Sequence, residues 1–290
     1  IAVSCVSGCG KTSAAIEQPY DVYATAADFG LSSNGTAEAK SYFASNLCVS
    51  EDVAIGTDST DSQVAEGAGT FNLETNTVVY AKNLYERLYP ASTTKILTAY
   101  IALKYCDDLD AMVTVSENAV NQASDSSVCN LKAGDVIRLR DLLYGLMLRS
   151  GNDAAVAIAE YISGDVDSFA ALMNQEAAAM GATRSHFVNP NGLPDENHYT
   201  CVYDMYLIFS NAIKNDTFVS IIGTTSYDVT YTDASGEAVT HTWENTNQYL
   251  TGNATTPDGF QIVGGKTGTT GEAGYCLVLY SYNPSGQPII

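Results

Sequence analysis

Tyr89-Pro90-Ala91-Ser92-Thr93-Thr94-Lys95-Ile96-Leu97-Thr98-Ala99-Tyr100-Ile101-Ala102-Leu103-Lys104 decides how the rest of the chain is read. From Thr94 onward the text is mostly apolar, with Leu97, Ile101 and Lys104 at helical spacing. Pro90 suits the lead-in to a helix rather than its interior. Residues three apart lie on one helix face, so Ser92 and Lys95 would present a hydroxyl and an amine side by side. An amine is a base only when neutral. Burial on an apolar helix and a second cation close by, Lys266, are two ways to depress its pKa, and the positive end of the helix dipole acts in the same direction. The same two residues also fit an N-cap serine and a surface lysine whose stem lies along the helix. The pair therefore needs support from elsewhere in the chain.

Downstream, Leu139–Leu148 is amphipathic and then strongly apolar, while Asp153–Ile162 is an Ala-rich helix of the buried type. Ser150-Gly151-Asn152 punctuates the two, a rigid place for a hydroxyl and a carboxamide, although a plain capped helix–helix turn explains it equally well. The Ser-x-Asn pattern recurs at Ser32, Ser116 and Ser281. Of these only Ser116 lies between the outer strings, and Val113-Thr114-Val115 before it reads as a strand end or the start of a surface helix. Further on, Phe260-Gln261-Ile262-Val263 is a predicted strand, Gly264-Gly265-Lys266-Thr267-Gly268-Thr269-Thr270-Gly271 a glycine-rich turn, and Ala273–Tyr282 a second strand. Glycines let a backbone approach a ligand closely, and a strand edge offers N–H groups to an extended peptide whose anionic end Lys266 would hold. Taken alone, the paired glycines are no more than a strand irregularity.

In this order, with Tyr89-Pro90-Ala91 before the first string, Leu148-Arg149 and Asp153-Ala154-Ala155 around the second, and Gly264-Gly265 before the third, the chain resembles the low-molecular-weight penicillin-binding proteins of the D-alanyl-D-alanine carboxypeptidase family. The resemblance covers most of Phe71 to Asn283 and includes Phe187–Tyr199, which is similar to that family's connecting segment. It implies a serine-type enzyme without a cofactor that removes the terminal D-alanine from peptidoglycan stem pentapeptides, with β-lactams as covalent inhibitors. Carried over residue by residue, Ser92 is the nucleophile, Lys95 accepts its proton, and Ser150 relays a proton to the leaving D-alanine. Asn152 holds the substrate amide, while Lys266 and Thr267 steer its carboxylate. The backbone N–H groups of Ser92 and Thr269 form the oxyanion hole, where a donor is often worth about 3–4 kcal/mol. Some members carry His where this chain has Thr269, and His-Gly-Leu where it has Asn191-Gly192-Leu193, which removes any imidazole contribution at those places. His186, His198 and His241 lie far from all three strings in sequence, against a Ser-His-Asp hydrolase.

Composition sets the frame. With 290 residues, 46% of them hydrophobic, the chain can bury a sizeable core. A net charge of −20, from 13 basic and 33 acidic residues, argues against nucleic-acid partners and against electrostatic adhesion to anionic lipid. Residues 1–9 read as part of a lipoprotein signal: Val6-Ser7-Gly8-Cys9 resembles a bacterial lipobox with Cys9 as the lipidation site, and Cys5 is a poorer second candidate. Gly8-Cys9-Gly10-Lys11-Thr12 also suggests a phosphate-binding loop, but Cys5 stands where that loop needs a glycine and no strand–helix context follows. Residues 10–61 suit a tether, with a possible short helix from Ala37 to Leu47, and 62–290 a transpeptidase-like catalytic domain. The expectation is therefore a protein exported to the outer face of a bacterial membrane and held there by lipid. The other five cysteines show no metal spacing, so no metal is expected, and Cys106 and Cys129 are the nearest pair.

A hairpin near Thr70–Ala81, helices from Ser92 to Lys214 and strands from Thr224 onward predict an α/β-layered fold. Helices would pack on an antiparallel sheet whose strands come from both chain ends, and this matches the serine β-lactamase/penicillin-binding-protein fold that the resemblance implies. That architecture would continue past Ile290 with another strand and a closing helix, so the catalytic domain reads as incomplete at its C-terminus. A class A β-lactamase would have Asp at Gly151 and an E-x-x-L-N motif, which is absent. A DD-endopeptidase of the same family, or a penicillin-binding sensor or scaffold without turnover, stays open at this point.

Overall fold

The computed structural model describes residues 44–56 and 64–290. Lipidation at Cys9, the tether up to residue 43 and most of the possible Ala37–Leu47 helix lie outside the described residues. The described residues from 47 to 290 form one compact unit.

Its first layer is a five-stranded antiparallel sheet in the order β2-β1-β9-β8-β7, built from β1 (Ala68–Asn72), β2 (Thr77–Lys82), β7 (Gln261–Thr270), β8 (Gly274–Tyr282) and β9 (Pro288–Ile289). Strand β1 meets β9 where Asn72 pairs with Ile289, so the sheet does combine strands that come before the helices with strands that come after them. The predicted hairpin is β1–β2. The glycine-rich string behaves differently from the expectation: it is no turn but the interior of β7, paired with β8 from Lys266↔Val278 to Thr270↔Gly274. The chain turns only at 271–273. A register shift between Ile262 and Gly264 is the one irregularity the glycines introduce.

The helices α1 (Lys95–Tyr105), α3 (Leu139–Leu148), α4 (Asn152–Ser163), α5 (Val166–Ala179), α6 (Val202–Ala212) and α7 (Asp216–Ile222) form the other layer, with α6 on β1, α7 on β7 and the one-turn α2 (Glu117–Val120) against α4. The apolar text of the opening stretch is explained by burial nearly all round: Ile96, Leu97, Ala99, Ile101 and Ala102 are at most 1% exposed. Burying one such Ile or Leu is worth about 1.5–3 kcal/mol. Because α1 runs through the helical layer, its first turn is held as firmly as the core itself. Ser116 caps α2, its hydroxyl accepting from Ala119 N–H, as the sequence suggested for that rival string.

Two features were not expected. The strands from Thr224 onward divide, since β5 (Ser226–Thr232) and β6 (Ala238–Glu244) join β3 (Met112–Thr114) and β4 (Val136–Arg138) in a separate four-stranded sheet. The stretch 47–56, expected within the tether, packs on the domain. Cys48 is fully buried, its N–H donates to Tyr206 Oη at 2.9 Å, and Ile55 bridges to Ala81. Its described neighbours 44–47 form a turn. Cys48 is the one fully buried residue of 47–56, so the stretch shows no helical or strand period by which its docking could be read.

Candidate active site

The nucleophile string is not a plain helix start. Ala91–Thr94 form a 3-10 turn that runs into α1 at Lys95, with Thr93 Oγ1 donating to Pro90 O. Ala91 has φ 48° and Ser150 φ 59°, left-handed positions that residues other than glycine rarely adopt. Each costs on the order of 1–3 kcal/mol, which surrounding packing must impose. Gly192 (φ 87°) lies so close that a Cβ there would stand 1.9 Å from Ala91 O, and a Cβ on Gly268 would stand 2.9 Å from Ser92 N. The turn that carries Ser92 is thus wedged between the 187–193 segment and strand β7.

Lys95 has no exposed surface. Its Nζ lies 2.9 Å from Ser92 Oγ, 2.8 Å from Asn152 Oδ1 and 2.6 Å from the Asn191 carbonyl oxygen. Burial drives its pKa well below the usual lysine range, and the Lys266 ammonium adds to this; Cys129 and Asp153 act weakly the other way. A neutral amine has two N–H donors and one lone pair. Two of its three neighbours, the Asn152 and Asn191 oxygens, can only accept, so they take both N–H groups and the lone pair is left for the Ser92 hydroxyl. That is the arrangement of a general base poised on its nucleophile.

The second string arrives at the same place. Asn152 begins α4, and its neighbour Asp153 ties that helix to the 129–131 loop: the carboxylate accepts from Cys129 N–H at 2.9 Å, Leu131 N–H at 3.1 Å and Ala154 N–H at 2.9 Å. A Cβ at Gly151 would meet Cys129 Sγ at 2.3 Å and Asp153 Oδ1 at 2.8 Å, so the aspartate a class A β-lactamase would carry there has no room. Ser150 Oγ accepts from Lys266 Nζ at 3.0 Å, and the same ammonium donates to Thr267 O at 2.7 Å. Lys266 is 1% exposed, and burial pulls its pKa down to about 7. Thr269 is exposed on β7, which has β8 on one side and no strand on the other among the described residues. Alternate backbone groups of that edge are therefore not taken up by a neighbouring strand and suit an extended peptide.

All seven residues expected at the site, Ser92, Lys95, Ser150, Asn152, Lys266, Thr267 and Thr269, lie on the three elements that converge here. Sequence reading missed several others. Asn191 contributes through its carbonyl, which no side-chain pattern reveals. His198, far from every string in sequence, places Nε2 2.9 Å from Thr94 Oγ1. Thr246, in the connection after β6, sets its hydroxyl 2.6 Å from Thr267 Oγ1, and its N–H donates to Leu148 O. Cys106 and Cys129 are both free thiols, and no cluster of three or more His, Cys, Asp or Glu side chains suited to a metal occurs among the described residues.

The chain is similar to known proteins. The chain is 36% identical over 236 residues to a D-alanyl-D-alanine carboxypeptidase of Streptomyces sp. strain K15, covering 78% of this chain and 79% of that protein. It is 35% identical over 218 residues to D-alanyl-D-alanine carboxypeptidase DacF of Bacillus subtilis, 73% of this chain but only 53% of the relative, so it spans about half that protein's length. The crystal structure of the Streptomyces K15 DD-transpeptidase superposes with a TM-score of 0.71 at 35% identity, over 78% of this chain and 87% of that one. The fold is accordingly that of the penicillin-binding DD-peptidases. The family whose sequence pattern is described as D-alanyl-D-alanine carboxypeptidase matches residues 56–289, a span that holds both the wedged Ser92 turn and the Lys266 strand. This chain belongs to that family.

Proposed function

We propose that the protein is a serine-type D-Ala-D-Ala carboxypeptidase acting on peptidoglycan stem pentapeptides. The observation that carries the reading is the buried Lys95 amine, 2.9 Å from Ser92 Oγ with its other two neighbours restricted to accepting. Ser92 Oγ attacks the carbonyl of the penultimate D-alanine while its proton passes to Lys95 Nζ. Negative charge develops on the carbonyl oxygen, within reach of the Ser92 and Thr269 N–H groups. The C–N bond to the terminal D-alanine then breaks. Lys266 donates to Ser150 Oγ, which leaves the Ser150 O–H free to protonate the departing amine; the proton that Lys95 took from Ser92 then replaces the one Ser150 gave up, so that the Lys95 amine is neutral again. Water attacks the resulting ester with the same amine as base, which releases the shortened peptide and restores Ser92. Asn152 holds the substrate amide, and Lys266 with Thr267 receives the free carboxylate. β-Lactams would acylate the same hydroxyl and remain attached.

The reading extends to location. Anchoring through a diacylated Cys9 on the outer face of the membrane, a tether over the residues that follow, and a part in maintaining cell shape are supported by the lipobox-like text and by the substrate's position outside the cell. Among the described residues no helix is long and apolar enough to cross a membrane.

The deciding experiment is the product profile on a free pentapeptide and on a cross-linked dimer, with peptide mapping of the penicilloyl adduct. Release of D-alanine and an adduct on Ser92 that disappears in Ser92→Ala are expected. An adduct that persists in Ser92→Ala removes the mechanism. Opening of dimers with the pentapeptide spared replaces the carboxypeptidase by an endopeptidase.

A further inference from the structure

We infer that His198 is a positioning residue for this reaction: its ring clamps the 187–193 segment to the nucleophile turn and so holds the Asn191 carbonyl that orients the Lys95 amine. The inference rests on the acyl-transfer reading above and adds to it a residue outside all three strings.

The ring is 1% exposed and both of its nitrogens are engaged. Val188 N–H donates to Nδ1 at 3.1 Å, so Nδ1 carries the lone pair. The proton is then on Nε2, which donates to Thr94 Oγ1 at 2.9 Å, next to Lys95 in sequence. Phe187 packs edge-on against the ring with centroids 5.5 Å apart. Burial pushes the imidazole pKa down to about 4, against Asp195 and with His186 and Lys95 adding to the effect. The ring is thus neutral, in one tautomer, across the range in which a peptidase works.

What it fixes is the path of the segment between. Pro190 O accepts from Thr98 Oγ1 at 2.7 Å, Asn191 O from Lys95 Nζ at 2.6 Å, and Gly192 presses on Ala91. At its start, Asn174 Oδ1 accepts from Phe187 N–H at 2.8 Å, so the segment is tied to α5 on one side and, through His198, to the Ser92 turn on the other. If the clamp is removed, the Asn191 carbonyl can move, the amine loses one of the two acceptors that fix its N–H groups, and the lone pair is no longer held on Ser92. Substrate does not touch His198 in this scheme, so the chemical step should suffer while binding does not.

The test is stopped-flow acylation of the full chain by a fluorescent penicillin, separating the initial binding constant from the acylation rate constant. His198→Phe, which removes both nitrogens and keeps most of the ring volume, should lower the acylation rate constant about 10- to 100-fold, as displacements near 1 Å do. Initial binding should stay within about twofold. His198→Gln, which can still reach Thr94, and His198→Asn, which can still accept from Val188, should fall between wild type and His198→Phe. Acylation at the wild-type rate in all three, or a loss confined to initial binding, overturns the inference. A wild type that is not acylated on Ser92 removes the acyl-transfer reading, and the inference with it. If His198→Phe does not fold, imidazole nitrogen NMR on the wild type decides: a neutral ring protonated on Nε2 from about pH 5 to 8 is expected. A proton on Nδ1, or titration near the ordinary value of about 6.5, overturns it.

Discussion

Gly268 tests whether the close approach of β7 to the nucleophile turn is part of the chemistry. A Cβ at that position would lie 2.9 Å from Ser92 N, 3.1 Å from Ala91 Cβ and 3.2 Å from Thr93 N, whereas ordinary van der Waals contact begins at 3.4 Å. Gly268→Ala must therefore push strand and turn apart by about half an ångström. Neither side gives easily, since Ala91 is pinned by Gly192 behind it and β7 is bonded along its length to β8. The two amides assigned to the oxyanion hole, of Ser92 and Thr269, sit on opposite sides of that gap. Losing one such donor outright costs about 10²–10³ in rate, so spreading the pair by half an ångström should cost about 10- to 100-fold in acylation. Overpacking should also lower stability by about 1–3 kcal/mol, visible as a shift in thermal midpoint but short of unfolding. The control is Gly271→Ala on the same hairpin, where an added Cβ meets nothing within 4 Å and no change is expected. Acylation by a reporter penicillin, with thermal melts on each variant, provides both numbers. A folded Gly268→Ala protein acylated as fast as wild type would show that the spacing between β7 and Ser92 does not set the reaction, and the oxyanion-hole assignment would fall.

Three further outcomes follow from the same geometry. Lys95→Arg replaces the neutral amine with a guanidinium that stays protonated at any working pH and has no lone pair to offer; acylation should be nearly abolished, and near-normal rates would make Lys95 purely structural. Lys266, with its pKa lowered to about 7, carries its ammonium below that value and loses it as pH rises through it. Turnover of a carboxylate-ended peptide should therefore fall on the alkaline side of about pH 7, while the carboxyl-amidated analogue lacks that fall; Lys266→Ala should cost about one to two decades on the former and much less on the latter. For the anchor, Cys9→Ala in the complete precursor expressed in a Gram-positive host should release the protein or leave it unprocessed, and unchanged fractionation with no lipid on the N-terminal peptide would refute it.

Local text was enough to identify the three strings, the helices on either side of Ser150-Gly151-Asn152, and the β1–β2 hairpin. Each is a short-range pattern of period 3.6 or 2, or a motif whose spacing places side chains on one face. The same text supported the family and, through it, the roles proposed for the residues in the strings. Tertiary structure decided what no local pattern encodes. Whether Lys95 is a solvated cation or a neutral base depends on burial and on oxygens from Asn152 and Asn191, 57 and 96 residues away. Glycines that read as a turn in sequence are strand interior, because a glycine tolerates both states and only the β8 partner and the nearby Ser92 turn select between them. His198 and Thr246 entered the site for the same reason: a hydrogen bond needs two groups to meet, and which residues meet is a property of the folded chain.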